Sequence, residues 1–310
     1  MRLILSTEDT NMQIGYVGLG KMGGALAKRL QLQHTLLVHD QNPVAVQTMV
    51  ELGSTACASL KDLAAGCDII FVCLPTSDHV RTVIFGDKGI ASGARPGTLI
   101  VDQTTGDPTA TRAMAAELEA LGLQLMDAPV SGGPRGANAG TIAIMIGATP
   151  AQFERISPVL RCISPNLFHA GGIGTGHVAK LANNLLSGGQ RLLSIEAMTL
   201  AVKNGIEPKT AMDIILASGG RNLFMEKFMP NIINGTLASG FMLGLMHKDV
   251  RLACQLGADS GVPVRFGNLA KEVYQASLDE LGPEVHVNAV ALTMDQQAGT
   301  HVVPADYKGD

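Results

Sequence analysis

The sequence predicts an α/β domain followed by an all-α domain, with one long helix joining them. Short apolar runs alternate with helix-like segments from residue 14 to about residue 170, glycine-rich turns follow several of these runs, and no strong strand pattern appears further on. Alternation of near-continuous apolar strands with helices is typical of a mostly parallel sheet covered on both faces. We therefore expect a first domain over residues 1–173 and a second over residues 174–310.

Each element has its own signal in the sequence. Six apolar runs are predicted strands: IGYV at 14–17, TLLVH at 35–39, DIIFVCL at 68–74, GTLIVD at 97–102, LQLMD at 123–127 and TIAIMIG at 141–147. Segments with helical apolar spacing lie over Met22–Leu32, Pro43–Leu52 and Pro108–Leu121. The stretch GHVAKLANNLLSGGQRLLSIEAMTLAVKNG predicts one long helix that ends at Gly205. Shorter helices are expected beyond it, with stops at Pro208, Pro230, Gly240 and Pro263.

Composition narrows the functional classes. The net charge of −4 provides no positive surface for nucleic acid or an anionic membrane, so we expect neither as a partner. Mean hydropathy is +0.23, yet the apolar runs are far shorter than the ~20 residues of a membrane-spanning helix. The five cysteines form no CxxC pair, which favours a reducing, cytoplasmic setting and gives no sign of a metal site.

The N-terminal stretch MRLILSTEDTN is too short, and too soon acidic, for a secretory signal. Met12 is an alternative start. In that case residues 1–11 form an extension to the first domain.

A dinucleotide-binding fingerprint follows the first predicted strand. Its G-x-G-x-x-G pattern consists of Gly18, Leu19, Gly20, Lys21, Met22 and Gly23, and a helical pattern comes next. Such glycines allow a tight turn and close approach of the backbone to a pyrophosphate at the helix N-terminus. Asp40 ends the second strand, twenty residues beyond Gly20, where a carboxylate binds a ribose 2′-hydroxyl. No arginine follows to receive a 2′-phosphate, so we expect a Rossmann domain that binds NAD, with NADP less favoured. The alternative is a structural glycine turn with Asp40 as a helix cap.

The loop Asp102-Gln-Thr-Thr-Gly-Asp-Pro108 follows the fourth predicted strand. Ligands of open α/β sheets bind outside the carboxyl ends of strands. Thr104 and Thr105 are therefore candidate cofactor contacts, with Thr105 favoured. Asp107 has two equal interpretations, a ligand contact or the N-cap of the helix that begins near Pro108.

A second loop, DAPVSGGPRGANAGT at 127–141, follows the next strand. Ser131, Gly132 and Gly133 offer a hydroxyl and exposed backbone N–H groups, which suit a substrate carboxylate. Ser131 is not in a G-x-S-x-G turn, so we expect no acyl-enzyme chemistry. The alternative is a simple glycine loop.

The segment GTGHVAKLANN at 174–184 places a single lysine among apolar residues on the predicted long helix. Residues four apart share a helix face, so Lys180 and Asn184 point the same way while Asn183 does not. A lysine in a low-dielectric cleft has a lowered pKa and exchanges a proton near neutral pH. The alternative is a lysine that extends its ammonium group into solvent from the flank of the helix.

Together the motifs GLGKMG, DQTTGDP, DAPVSGGPRGANAGT, GTGHVAKLANN and MHKD at 246–249 resemble the β-hydroxyacid dehydrogenases. They occur in the order typical of that family and cover residues 14 to about 295. The resemblance implies that Lys180 is the catalytic lysine and that Asn184 orients the substrate. It also implies that Ser131, Gly132 and Gly133 bind the substrate carboxylate.

The same resemblance implies further contacts and an assembly. Leu74, Pro75 and Thr105 match cofactor contacts of the family. Lys248 matches a second lysine near the nicotinamide and the substrate, and Asp249 helps to frame it. The helical domains of the family usually build a homodimer or homotetramer, so we expect such an oligomer here.

One segment departs from the 3-hydroxyisobutyrate dehydrogenases of this family. They would carry a tryptophan near Leu223, and this chain contains no tryptophan. The segment from Gly220 to Met225 is more similar to that of 2-(hydroxymethyl)glutarate dehydrogenase. Leu223 and Phe224 are expected to form an apolar wall for a larger β-substituent, with Phe224 as a substrate-binding residue.

The predicted function is that of an NAD-dependent oxidoreductase. It would interconvert a small β-hydroxy acid and its semialdehyde or ketone by hydride transfer, with Lys180 as proton donor and acceptor. One alternative is an NADP-dependent imine reductase-like enzyme, against which Lys180 and Asp40 both argue. Another is a non-catalytic NAD-binding interaction protein, against which the pair of Lys180 and Asn184 argues.

Overall fold

The computed structural model describes residues 12–309, so the predicted extension over residues 1–11 lies outside the described residues. The chain divides into two compact units, the first ending at Lys180 and the second beginning at Leu181. The predicted domain boundary between residues 173 and 174 stays a prediction.

One sheet runs through the first unit. In the described part of this unit it has nine strands: β1 (Ile14–Val17), β2 (Leu36–His39), β3 (Thr55–Ala56), β4 (Ile69–Val72), β5 (Leu99–Asp102), β6 (Gln124–Asp127), β7 (Val130–Ser131), β8 (Ala143–Gly147) and β9 (Leu167–Gly171). Their order across the sheet is β3-β2-β1-β4-β5-β6-β8-β7, with β9 paired to β8. All pairs are parallel except β6 with β8 and β7 with β8. The predicted mostly parallel sheet is confirmed.

Both faces of this sheet are buried. On β4, Ile69 and Phe71 belong to one apolar core, whereas Ile70 and Val72 belong to the other. Successive side chains of a strand point to opposite faces, so a strand covered on both sides needs an apolar residue at every position. This requirement explains the uninterrupted apolar runs that predicted the fold class.

Helices cover the sheet on its two faces. They are α1 (Lys21–Gln31), α2 (Pro43–Glu51), α3 (Leu60–Gly66), α4 (Ser77–Phe85), α5 (Pro108–Glu119), α6 (Gly133–Ala139) and α7 (Pro150–Ile163), with a short 3₁₀ turn at Ile90–Ser92. Three strands were not predicted. The strands β3 and β7 have two residues each, which is too short for a periodic signal, and β9 is mostly exposed and pairs only with β8.

The long helix α8 (Thr175–Lys203) confirms the predicted one. The second unit continues with α9 (Pro208–Leu216), α10 (Leu223–Lys227), α11 (Met229–Ile233), α12 (Leu243–Ser260), α13 (Arg265–Leu281) and α14 (Val290–Ala298), and a 3₁₀ turn lies at Val287–Ala289. It has an apolar core of its own. Within residues 12–309, no helix combines the length and apolar character that crossing a membrane requires. The same residues contain no group of three or more histidine, cysteine or acidic side chains placed to hold a metal ion.

Candidate active site

The turn between β1 and α1 needs its glycines for different reasons. Gly18 has a φ of +90°, and a side chain there would collide with the carbonyl oxygen of Cys73. A side chain at Gly23 would collide with the carbonyl oxygen of Gly18, so α1 packs directly on the turn. A Cβ at Gly20 would instead meet no protein atom within 4 Å. Gly20 thus leaves open space at the N-terminus of α1, where a pyrophosphate approaches the backbone in turns of this type.

Asp40 directly follows β2 and holds the glycine turn. Its Oδ2 accepts the backbone N–H of Leu19 at 2.5 Å, and its Oδ1 accepts the backbone N–H of Asn42 at 2.7 Å. The cap of α2 is Asn42, whose side chain accepts the N–H of Val44 at 3.0 Å, so Asp40 is not that cap. Each carboxylate oxygen has a second lone pair with which it can accept a hydrogen bond from a ribose hydroxyl.

An open cavity of about 480 Å³ brings these groups together. Leu19, Gly20, Lys21 and Asp40 line it, together with Asn42 and Asn138. Cavities of this size are typical of small-molecule and cofactor sites. Met22, which the motif also includes, packs against the core of the sheet instead.

The loops after β4 and β5 are joined by hydrogen bonds. The N–H of Leu74 donates to the hydroxyl of Thr104 at 3.1 Å, and the N–H of Thr104 donates to Oδ1 of Asp102 at 2.9 Å. The two strands are adjacent and parallel, so Leu74, Pro75 and Thr105 lie at the same carboxyl edge of the sheet. That edge is where dinucleotides bind in doubly wound sheets.

Asp107 is a helix cap. Its side chain accepts the N–H of Thr109 at 2.8 Å, at the N-terminus of α5. Its own N–H donates to the hydroxyl of Ser77 at 2.8 Å. Of the two interpretations of Asp107, the structure shows the cap.

The loop that contains Ser131 begins at β7 and enters α6. Gly132 and Gly133 have φ values of +138° and +64°, a backbone conformation that side chains rarely allow. A Cβ at Gly133 would meet no protein atom within 4 Å. The loop therefore leaves open space at Gly133, two residues after Ser131.

Asp127 anchors the start of α8, a role that was not predicted. Its Oδ1 accepts the N–H of Gly174 at 2.6 Å and its Oδ2 accepts the N–H of His177 at 2.7 Å. Burial raises the pKa of this carboxyl to about 6, and the two N–H donors oppose that rise. A side chain at Gly176 would collide with the carbonyl oxygen of Met145, so this glycine lets the helix pack on β8. Two features of the sequence could have predicted this role of Asp127. They are a carboxylate at the end of a strand and a later helix start that is rich in glycine.

His177 is a second buried residue that was not predicted. Its Nδ1 lies 3.1 Å from the hydroxyl of Thr111, and its Nε2 lies 3.9 Å from Oδ2 of Asp102. All three side chains are fully buried. Since Asp102 also binds the N–H of Thr104, a polar network connects the predicted cofactor loops to the first turn of α8.

Lys180 lies one turn beyond His177 on α8, and Asn184 lies one further turn along. Their exposed fractions are 9% and 6%, whereas Asn183 is exposed, as the helical spacing predicts. The amide of Asn184 donates to Oδ2 of Asp249 at 2.6 Å, and Lys248 forms an ion pair with Oδ1 of the same carboxylate at 3.1 Å. The second unit therefore joins Asn184, Lys248 and Asp249 in one polar cluster.

The two residues expected to form an apolar wall for the substrate lie in different environments. Leu223 is largely exposed, whereas Phe224 is buried in the core of the second unit. The ring of Phe224 stacks on that of Phe228 with 5.6 Å between centroids. The guanidinium carbon of Arg191 lies 5.1 Å from the Phe224 ring centroid. Arg191 is a third residue that was not predicted.

The fold, the glycine turn and the cavity at Asp40 define the class of a dinucleotide-binding protein. The family described as the NAD binding domain of 6-phosphogluconate dehydrogenase matches residues 13–172. The family described as NAD-binding of NADP-dependent 3-hydroxyisobutyrate dehydrogenase matches residues 174–293. The predicted Rossmann domain and helical domain are confirmed by these two matches. NAD as cofactor is confirmed by the first of them.

Individual relatives agree over nearly the whole chain. It is 38% identical to 2-(hydroxymethyl)glutarate dehydrogenase of Eubacterium barkeri, over 95% of this chain and 98% of the relative. It is 35% identical to NAD-dependent L-serine dehydrogenase of Pseudomonas aeruginosa, over 93% and 99%. The solved structure of Mycobacterium tuberculosis 3-hydroxyisobutyrate dehydrogenase with L-serine has a TM-score of 0.83 and 30% identity, covering 91% of this chain and 99% of that one. The chain belongs to the β-hydroxyacid dehydrogenase family and is an NAD-dependent dehydrogenase that acts on a CH–OH group.

Proposed function

We propose that Lys180 is the proton donor and acceptor in the interconversion of a small β-hydroxy acid and its semialdehyde or ketone. The observation that carries this proposal is the burial of Lys180, one helical turn before the equally buried Asn184. A lysine placed to stay in solvent would not be buried to this extent. Asp127 accepts two hydrogen bonds at the start of α8, from the N–H groups of Gly174 and His177. These bonds support the proposal, because they hold the start of the helix that carries Lys180.

The roles follow from the chemistry of each group. The hydroxyl of Ser131 and the N–H groups of the following glycines bind the substrate carboxylate. Neutral Lys180 accepts the hydroxyl proton during oxidation and, once protonated, returns it during reduction. Asn184 aligns the hydroxyl with an amide that Asp249 already orients. Bound NAD supplies the acceptor for the hydride that leaves the carbinol carbon. Lys248, with Leu74, Pro75 and Thr105, remains a proposed contact.

For the substrate, we propose a β-hydroxy acid whose α-carbon carries a larger substituent than the methyl group of 3-hydroxyisobutyrate. The absence of tryptophan from the segment around Leu223 supports this proposal. The relative from Eubacterium barkeri is by name a dehydrogenase of 2-(hydroxymethyl)glutarate, whose α-carbon carries a carboxyethyl group where 3-hydroxyisobutyrate carries a methyl group.

A panel of β-hydroxy acids tests the proposal. NADH formation would be followed by its absorbance, with NADH binding measured separately. Activity with at least one β-hydroxy acid supports the dehydrogenase mechanism. Binding of NADH without turnover of any acid would favour the non-catalytic alternative, and reduction of cyclic imines with NADPH would favour the imine reductase.

Asp40→Ala should reverse part of the cofactor preference. Loss of a charged hydrogen bond to the ribose 2′-hydroxyl should lower kcat/KM for NAD about 10- to 100-fold, while NADP is spared or improved. The ratio of the two kcat/KM values is the informative measurement, since loss of the Leu19 contact affects both cofactors alike. The exposed Asp87→Ala is the control. An unchanged ratio in Asp40→Ala would contradict the ribose assignment.

We also propose a homodimer or homotetramer formed through the second unit. The exposed side chains of Leu186, Leu193 and Leu200 recur every seven residues on α8, with exposed fractions of 64%, 68% and 67%. This spacing places them on one helix face, and contiguous exposed apolar surface marks interfaces. Leu193→Glu should therefore lower the molar mass seen by light scattering at a fixed protein concentration. Thr210→Glu, at another exposed helical position, should not; an unchanged mass for Leu193→Glu would exclude this face.

A cytoplasmic location remains part of the proposal. All five cysteines are free thiols. Burial raises the pKa of Cys67 to about 12, so this thiol stays protonated and unreactive. Five free thiols, of which Cys67, Cys162 and Cys254 are buried, fit a reducing compartment.

A further inference from the structure

The imidazole of His177 lies between the helix that carries Lys180 and the loop that follows β5. The ring has no exposed surface. His177 precedes Lys180 by three residues on α8, and side chains three apart are neighbours on one helix face. One helical turn therefore carries both the buried ring and the proposed proton-transfer group.

The loop after β5 packs directly on this ring. A Cβ added at Gly106 would lie 2.9 Å from Cε1 of His177 and 3.2 Å from its Nδ1, so a side chain there would press on the imidazole. The glycine lets the loop backbone approach the ring closely. The size of the ring therefore sets how far the loop lies from the first turn of α8.

Polar contacts fix the orientation of the ring. Its Nε2 lies 3.9 Å from Oδ2 of Asp102, and its Nδ1 lies 3.1 Å from the hydroxyl of Thr111. A carboxylate accepts hydrogen bonds and donates none, so the ring hydrogen belongs on Nε2, and Nδ1 accepts the hydroxyl hydrogen of Thr111. All three side chains are fully buried, where polar contacts are stronger than in water.

Asp102 extends these contacts to the loops proposed to hold the cofactor. Its Oδ1 accepts the N–H of Thr104, whose hydroxyl in turn accepts the N–H of Leu74. Leu74 is a proposed cofactor contact, and Thr105, another, follows Thr104 directly. A continuous set of contacts thus leads from the turn that carries Lys180 to both cofactor loops.

We propose that His177 is a positioning residue that sets the distance between bound NAD and Lys180. Hydride and proton leave the same carbinol group, so the nicotinamide and the lysine amine must be placed against it together. His177 acts through the loop and the helix and exchanges no proton with the substrate. This inference rests on the proposed function, because it needs Lys180 as the proton-transfer group. The competing explanation is a buried histidine that contributes only to stability.

The test uses His177→Leu, which stays apolar in the core and removes both ring nitrogens. Single turnovers would be run with enzyme and NAD in saturating excess over the panel acid that has the highest kcat/KM. The rate constant of NADH formation should fall about 10- to 100-fold. A smaller folded fraction alone would leave this rate constant unchanged, because the remaining enzyme still saturates the acid. His177→Gln, whose amide nitrogen can replace Nε2 beside Asp102, should retain most of the wild-type value.

Two controls separate positioning from stability. Thr98→Val removes a buried hydrogen bond to the carbonyl of Cys67, just before the amino end of β5, so it should lower the Tm and leave the rate constant unchanged. His301→Leu, at an exposed histidine, should change neither quantity. A lowered Tm with a wild-type rate constant in His177→Leu would overturn the proposal.

Amide hydrogen exchange provides a readout that needs no turnover. His177→Leu should speed the exchange of peptides that contain the N–H groups of Leu74 and Thr104, and His177→Gln should not. Unchanged exchange in both peptides of His177→Leu would also contradict the positioning role. If wild type oxidises no acid of the panel, the proposed function fails, whereas faster exchange in His177→Leu would still show that this ring holds the two loops.

Discussion

Lys180→Ala should lower kcat by about 10²- to 10⁴-fold, the range that a positioned general acid–base contributes. NAD binding should persist, because the glycine turn and Asp40 belong to a separate set of contacts. The effect should fall on kcat, since the proton must move in the transition state in both reaction directions. Steady-state kinetics, with NADH binding measured by fluorescence, would separate the two quantities.

Lys203→Ala is the matched control for that experiment. Lys203 lies in the last turn of α8 and is exposed, so its loss should leave kcat unchanged. If Lys180→Ala retained more than about a tenth of wild-type kcat, proton transfer by Lys180 would be ruled out. Loss of NADH binding together with kcat would instead indicate a structural role.

Asp127→Ala should destabilise the protein by about 2–4 kcal/mol near neutral pH. It leaves the N–H groups of Gly174 and His177 buried without an acceptor, and each such orphan donor costs about 1–3 kcal/mol. Chemical denaturation followed by circular dichroism would measure the loss. Asp107→Ala is the control, since it removes a half-buried cap from α5 and should cost about 1 kcal/mol.

The difference in unfolding free energy between wild type and Asp127→Ala should depend on pH. The pKa of Asp127 is raised by burial from 3.8 to about 6 in the folded protein, so the folded state binds the proton more tightly than the unfolded state. Tighter proton binding by the folded state therefore adds about 3 kcal/mol to the free energy of unfolding below pH 4. This contribution is lost as the pH rises through 6. The deficit of Asp127→Ala should therefore be larger at pH 4 than at pH 7. A deficit that grows with increasing pH would contradict the raised pKa.

The elements of the first unit were predictable because burial on both sheet faces demands long apolar runs. β4 illustrates this, since all four of its residues are buried. The long helix was predictable from its apolar spacing and the glycine at its end. β3 and β7 were not predictable, because two residues carry no period.

The residues of the candidate site also differ in how far the sequence predicts them. The glycine turn and Asp40 follow from local spacing within one β-α-β unit, and the helical spacing separates Asn184 from Asn183. Asp127, His177 and Arg191 act through partners that are far away in sequence. Asp127 accepts a hydrogen bond from the N–H of His177, fifty residues further along the chain. Arg191 donates one to Asn288, ninety-seven residues further along. Such pairs depend on tertiary packing, which local patterns do not encode.

The two hydrogen bonds that Asp127 accepts at the start of α8 limit where the chain can be divided into fragments. A fragment that stopped at residue 173 would retain the buried carboxylate of Asp127 and lose both of its N–H donors, Gly174 and His177. Asp102 and Thr111 would also lose the imidazole that lies between them. An autonomous nucleotide-binding fragment must therefore include the first turn of a helix whose greater part belongs to the second unit. A chimaera that combines the first unit of this protein with the second unit of a relative must therefore keep the first turn of α8 together with the sheet.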